Sequence, residues 1–172
     1  MNFHFPIPIN FIVIPLVTIV TAWQGAKYAK QGAGSEWYRE LPKPKWTPGG
    51  GTIREIWIFL YILTTLAVMW YWNVPIFSVF HYFVAAILFY NAYLNAHWNK
   101  LFFVEHNIPK ALSEMKRMNV AALIATLVML VQAPIAAVGM LPYIIWVWIA
   151  TRLTKEILQA EKPVDTLTSK AT

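Results

Sequence analysis

Glu36-Trp37-Tyr38-Arg39-Glu40-Leu41-Pro42-Lys43-Pro44-Lys45-Trp46-Thr47-Pro48 separates a first apolar run from a second, and its reading decides the fold. Pro42, Pro44 and Pro48 each fix φ and turn the preceding residue away from helix, so the stretch is expected to be a loop. Trp37, Tyr38 and Trp46 alternate with Arg39, Lys43 and Lys45. Large rings are not left in water without reason, so these are expected to fold back onto the protein or lie at a membrane surface. The plainer reading is an interfacial anchor of aromatics and cations at headgroup level.

The rest of the chain supports a membrane setting. Of 172 residues 58% are hydrophobic, 16% aromatic and only 13% charged, too apolar for a soluble domain of this size. No cysteine is present, which excludes disulfides, thiolate metal sites and cysteine nucleophiles. The net charge of +6 lies between membrane-length segments, so anionic headgroups rather than nucleic acid are the expected counter-ions.

Outward from the loop, residues 7–28 carry no charge before Lys27 and are long enough to cross a bilayer. Met1 to Pro8 holds no Lys or Arg, unlike a signal peptide, so this first helix is expected to be retained. Beyond the loop, Gly49, Gly50 and Gly51 read as a flexible joint. Further helices are expected at 53–72, 76–98, 110–132 and 142–159, with Pro109 opening the fourth and Pro134, Gly139 and Pro142 marking a turn before the fifth. The expected fold is an all-α membrane protein: one five-helix transmembrane domain over 1–160 and a polar, disordered tail over 161–172. Placing the N-terminus outside and the C-terminus in the cytoplasm puts all fourteen Lys and Arg on the inner side, as the positive-inside rule requires.

No acid or base lies deep in a span, which argues against an ion-coupled pump. HExxH, GxSxG and glycine-rich phosphate loops are absent. The polar groups that do enter the bilayer form stripes. Asn91, Asn95 and Trp98 share a face of the third helix at i, i+4 and i+7. Trp57, Tyr61 and Thr64 make a stripe on the second helix, and Tyr143, Trp146 and Ala150 one on the fifth. Meeting in a small bundle, these faces would enclose a flat, mainly apolar cavity with a few hydrogen-bonding groups. The plainer reading makes the rings interfacial belts and the asparagines interhelical glue. His97 could ligate haem, but an interfacial histidine is more often solvated, and no metal site is expected.

Trp37-Tyr38, Leu41, Lys43-Pro44 and Trp46-Thr47-Pro48, with Trp57, Tyr61, Asn95, Trp98, Phe102-Phe103, Pro142-Tyr143, Trp146 and Ala150, resemble the translocator protein family. Its members are also called TspO/MBR proteins, tryptophan-rich sensory proteins or peripheral-type benzodiazepine receptors. The resemblance covers about residues 10–158. It implies a five-helix bundle whose long first loop covers a ligand cavity, and a receptor or carrier for porphyrins and related flat hydrophobic ligands. It requires no cofactor beyond that ligand. Carried over by position, Trp57, Asn95, Trp98, Trp146 and Ala150 line the pocket, with Trp46 in the covering loop; Tyr61, Asn91 and Tyr143 join them from the stripes. The resemblance also admits light- and oxygen-dependent porphyrin degradation, with Trp57 and Trp146 as the reacting indoles, and a third role as a regulatory scaffold. Pro48-Gly49 and Asn99-Lys100 stand where Pro-Pro pairs occur in other members, and Leu153 to Gln159 lacks the sterol-consensus pattern. Those departures favour a bacterial inner-membrane member. Small residues Ala85, Ala92, Ala96, Ala121, Ala122 and Ala125 suggest a homodimer, although they suit packing within one protomer equally.

Overall fold

The computed structural model describes residues 9–75 and 78–168, with side chains as far as residue 161. His4, the starts expected at residues 7 and 76, and the last four residues of the tail lie outside the described residues. The described chain forms six helices: α1 (Asn10–Gly32), α2 (Glu36–Glu40), α3 (Gly50–Trp72), α4 (Val79–Phe103), α5 (Ile108–Gln132) and α6 (Pro134–Thr168). No strand occurs among the described residues.

Local chemistry explains most boundaries. Ser35 caps α2, its Oγ accepting from the Tyr38 amide at 3.2 Å, and Pro42 ends that helix by holding Leu41 extended. The expected loop therefore opens with a short helix, because a cap and six residues free of proline, Glu36 to Leu41, precede Pro42. The anticipated glycine joint is also shorter than expected: α3 starts at Gly50, with Gly49 extended as its cap. Asn107 caps α5 by accepting from the Lys110 amide at 3.1 Å, and Pro109 sits in the first turn, where its missing N–H costs nothing.

The turn expected over Pro134, Gly139 and Pro142 is not there. The break is the single residue Ala133, and α6 runs through Gly139 and Pro142. Pro134 is tolerated at a helix start, while Pro142 forgoes one backbone bond to Val138. Gly139 is a packing residue: a Cβ there would lie 3.0 Å from the Ala67 Cβ of α3. The helix also continues past the expected end at 159, to Thr168.

The five long helices form a closed ring in the order α1, α4, α5, α6, α3 and back to α1. Their outward faces are apolar. On α1 the buried residues are Asn10, Thr21, Gly25 and Gly32, whereas Ile12, Leu16, Ile19 and Trp23 are exposed. That is the inverse of a soluble amphipathic helix and suits a hydrocarbon surround, in which small residues let backbones approach. Gly32 is the tightest case, since a Cβ would fall 2.2 Å from the Phe103 carbonyl oxygen.

Among the described residues four helices are long and apolar enough to span a membrane: Asn10–Gly32, Gly50–Trp72, Val79–Phe103 and Pro134–Glu161. α5 has the length, but Lys110, Glu114, Lys116 and Arg117 charge its first half. Glu114 is buried there, 2.9 Å from His97 Nδ1 on α4 and 3.7 Å from Arg117. Because Gly32 meets Phe103 and Trp57 meets Trp98, the cations late in α1, α4 and α6 and early in α3 and α5 gather at one end of the ring. The other end carries no Lys or Arg among the described residues.

Candidate functional site

The polar stripes converge midway along the bundle and form a hydrogen-bonded floor. Tyr61 of α3 donates to Asn95 Oδ1 at 2.7 Å. Asn95 Nδ2 donates to the Tyr143 hydroxyl at 3.2 Å, which donates to Asn91 Oδ1 at 2.6 Å. Asn91 Nδ2 closes the run on the Met118 carbonyl of α5 at 2.8 Å. Four helices are thereby joined by bonds that all run in one donor direction. Each amide is oriented by its neighbour, which is how buried amides avoid an unpaired group in an apolar interior.

Two separate cavities lie on either side of this floor. Toward the cationic end is a cavity of about 70 Å3 lined by Trp57, Trp98, Trp146 and Ala150, with Tyr38, Lys43, Thr47 and Pro48 as a further wall. Trp57 and Trp98 lie 6.4 Å apart at 31°. The indole N–H groups of Trp98 and Trp146 are buried with no hydrogen-bond partner. A buried donor left unpaired costs about 1–3 kcal/mol, so two beside one small cavity are a strained arrangement that an acceptor there would relieve. Toward the cation-free end is a longer cavity of about 240 Å3, bounded by Tyr61, Asn91, Asn95 and Tyr143 at the floor. No residue lines both cavities.

The nine residues picked from the sequence thus divide into three groups. Trp57, Trp98, Trp146 and Ala150 line the indole cavity; Tyr61, Asn91, Asn95 and Tyr143 form the floor and face the long cavity. Trp46 lines neither. Its Nε1 donates to Glu156 Oε2 at 2.9 Å, and Arg152 lies over its ring at 5.7 Å while bonding Glu156 at 2.8 Å. It fastens the segment between α2 and α3 onto α6.

That segment is seated by further contacts. Trp37 stacks on His106 at 3.9 Å, and His106 adopts the left-handed backbone (φ 52°) that swings the α4–α5 connection toward it. Lys43 donates to the Tyr38 carbonyl and lies 4.4 Å over the Tyr38 ring. Burial pushes the Tyr38 hydroxyl up in pKa and the Lys43 ammonium down, since both lose water in their charged forms.

Two functional-looking residues lie outside the sites expected from the sequence. Asn10 opens α1, is 8% exposed, lines the long cavity and has an unpartnered Nδ2. Its signal was a lone amide at the head of an apolar run. His81 is fully buried at the cation-free end: Nδ1 accepts from the Ser78 amide at 3.2 Å, and Nε2 lies 3.2 Å from the Tyr71 carbonyl. Its signal was the Ser-x-x-His spacing of a helix start. Among the described residues no three His, Asp or Glu side chains cluster to hold a metal.

Long helices with apolar outward faces, sorted charge and an interior of indoles and amides define an integral membrane protein. The chain belongs to the TspO/MBR family, whose model matches residues 11–159. It is 27% identical over 123 residues to the uncharacterized membrane protein YtaB of Bacillus subtilis (strain 168), a stretch covering 69% of this chain and 76% of that one.

Proposed function

We propose that the protein is a membrane receptor or carrier for tetrapyrroles and related flat hydrophobic ligands, bound in the indole cavity. The observation that carries this reading is the pair of buried, unpartnered donors, Trp98 Nε1 and Trp146 Nε1, among indole faces. Indoles stack on a macrocycle, their N–H groups meet its polar edge, and the surrounding cations attract its acidic side groups. At 70 Å3 the cavity is far smaller than the roughly 300–1,000 Å3 of ligand pockets, so the ligand enters by displacing residues 41–48. In this reading those residues are a lid over a five-span bundle, α5 included, with the cationic end in the cytoplasm of a bacterium and two protomers forming a dimer. Ala121, Ala122 and Ala125 are buried within the protomer, so the dimer uses other residues.

Titrating protoporphyrin into the protein in nanodiscs tests the proposal. Saturable quenching of indole fluorescence is expected, with affinity about fivefold weaker for Trp98→Phe or Trp146→Phe, the loss of one hydrogen bond each. Quenching that rises linearly without saturation overturns it. The two indoles Trp57 and Trp146 on one cavity wall favour a second activity, photo-oxidation of the bound porphyrin by oxygen. It predicts Soret-band loss in light and air that Trp57→Phe or Trp146→Phe slows; equal loss in both variants and the parent excludes it.

A further inference from the structure

The long cavity has a shape that the proposed ligand does not explain. Its lining residues form long stripes on three helices, from residue 10 to 21 on α1, 61 to 72 on α3 and 84 to 95 on α4, joined by Met140 and Tyr143 of α6. Each stripe spans eleven helical steps, about 16 Å at 1.5 Å per residue. The cavity is therefore long along the bundle axis and walled mainly by aliphatic and aromatic side chains, which suits an extended hydrocarbon chain better than a disc-shaped macrocycle.

The two ends of this space differ chemically. One end is the amide and phenol floor, whose groups are all paired with one another. The other end holds Asn10, whose Nδ2 is buried with no partner. Between them the threonine hydroxyls are already committed as donors: Thr18, Thr21 and Thr64 to carbonyls of their own helices, and Thr65 to Thr18 Oγ1 at 2.8 Å and to the Tyr61 carbonyl. No described Lys or Arg stands at the Asn10 end, so a charged head would be buried without a counter-ion. Ile9 and Phe89 also line the cavity and are 73% and 55% exposed, which places an opening on the apolar outer surface of the bundle.

We propose that the long cavity is a second binding site, for a single-chain neutral lipid taken from the bilayer. Its oxygen accepts from Asn10 Nδ2, and its chain lies along α1 toward the floor. The lipid class is set by three features together: a long apolar space running along the helices, an unpaired donor at one end and access through the hydrocarbon-facing surface. The site goes beyond the indole cavity and stands or falls separately from it.

Photolabelling in nanodiscs with a diazirine-bearing hexadecanol, read by peptide mass spectrometry, tests the site. Labelling is expected to saturate, to concentrate on the three stripes, and to be competed by hexadecanol better than by hexadecane. Val17→Trp fills the cavity and should cut the adducts about tenfold while leaving protoporphyrin quenching intact. Asn10→Leu removes the unpaired amide without threatening the fold; it should weaken hexadecanol competition about fivefold and leave hexadecane competition unchanged. Adducts spread without saturation over outward faces such as those of Ile58 and Trp148, or undiminished in both variants, overturn the proposal. Loss of porphyrin quenching in the parent protein would strike the indole cavity alone.

Discussion

The cation-free end of the bundle is closed by helix side chains, whereas the cationic end borrows its closure from the segment joining α1 to α3. At the first, Tyr71 and His81 are fully buried and stacked at 4.5 Å. The Tyr71 hydroxyl donates to Gln132 Oε1 at 2.9 Å, and Gln132 Nε2 donates to Ser78 Oγ at 2.7 Å, so α3, α4 and α5 are tied at their ends. At the second, Leu41, Trp37 and Tyr38 complete the core from outside the long helices. Their segment keeps few backbone bonds of its own, such as Lys43 N to Leu41 O at 2.8 Å and Thr47 N to Pro44 O at 3.0 Å. The first closure can open only by unravelling helix ends. The second rests on side-chain contacts with few backbone bonds of its own, and segments of that kind lie at the low-stability end of local openings.

The contrast can be broken most severely at the closed end. Tyr71→Ala removes a fully buried ring and strands Gln132, and should destabilise the protein by about 3–5 kcal/mol in detergent melts. A loss no larger than that of an exposed substitution would show that the two ends are alike after all. At the cationic end the comparable weak point is the helix contact rather than the segment. Gly32→Val pushes a side chain into the Phe103 carbonyl and should cost about 1–3 kcal/mol as α1 moves off α4. An unchanged melting temperature there would mean that α1 already stands away from α4 in solution.

Glu156→Ala sharpens the comparison, because it cuts the Trp46 and Arg152 bonds without touching a helix contact. Amide exchange over residues 41–47 should rise severalfold with little change in melting temperature, and the amides around Tyr71 and His81 should stay protected. Equal deprotection at both ends would defeat the idea of a separable segment. The smallest effect expected is a pH dependence at the α4–α5 connection. The Lys100 ammonium, 2.7 Å from Glu105, holds that carboxyl below its ordinary pKa of 4.5. A carboxyl depressed by folding stabilises above its unfolded value, and the contribution fades as pH falls through the lower, folded one. Melting temperatures of the parent should therefore decline slightly more between neutral pH and below 4.5 than those of Glu105→Gln.

Much of this arrangement was legible in the chain. Apolar length located the long helices, the three prolines located the segment after Leu41, and the sorting of Lys and Arg located the cationic end. Helical spacing also put Asn91 and Asn95 on one face. The misreadings share a cause. Gly139 and Pro142 read as a turn because glycine and proline disfavour helix locally, yet packing against Ala67 holds the helix through them. One cavity was expected where there are two because spacing along a helix says nothing of its height against a neighbour. Trp57 and Tyr61 are one turn apart, yet the pairing of Tyr61 with Asn95 makes Tyr61 part of the floor and leaves Trp57 on the indole side of it.

That floor gives the molecule the plan of a cup rather than a tube. Passage from the indole side to the far side would mean parting Tyr61, Asn95, Tyr143 and Asn91 together, stranding several buried donors and acceptors at about 1–3 kcal/mol each. On the proposed function, a ligand that entered past Trp46 would meet a dead end and would have to leave by the doorway it came in by.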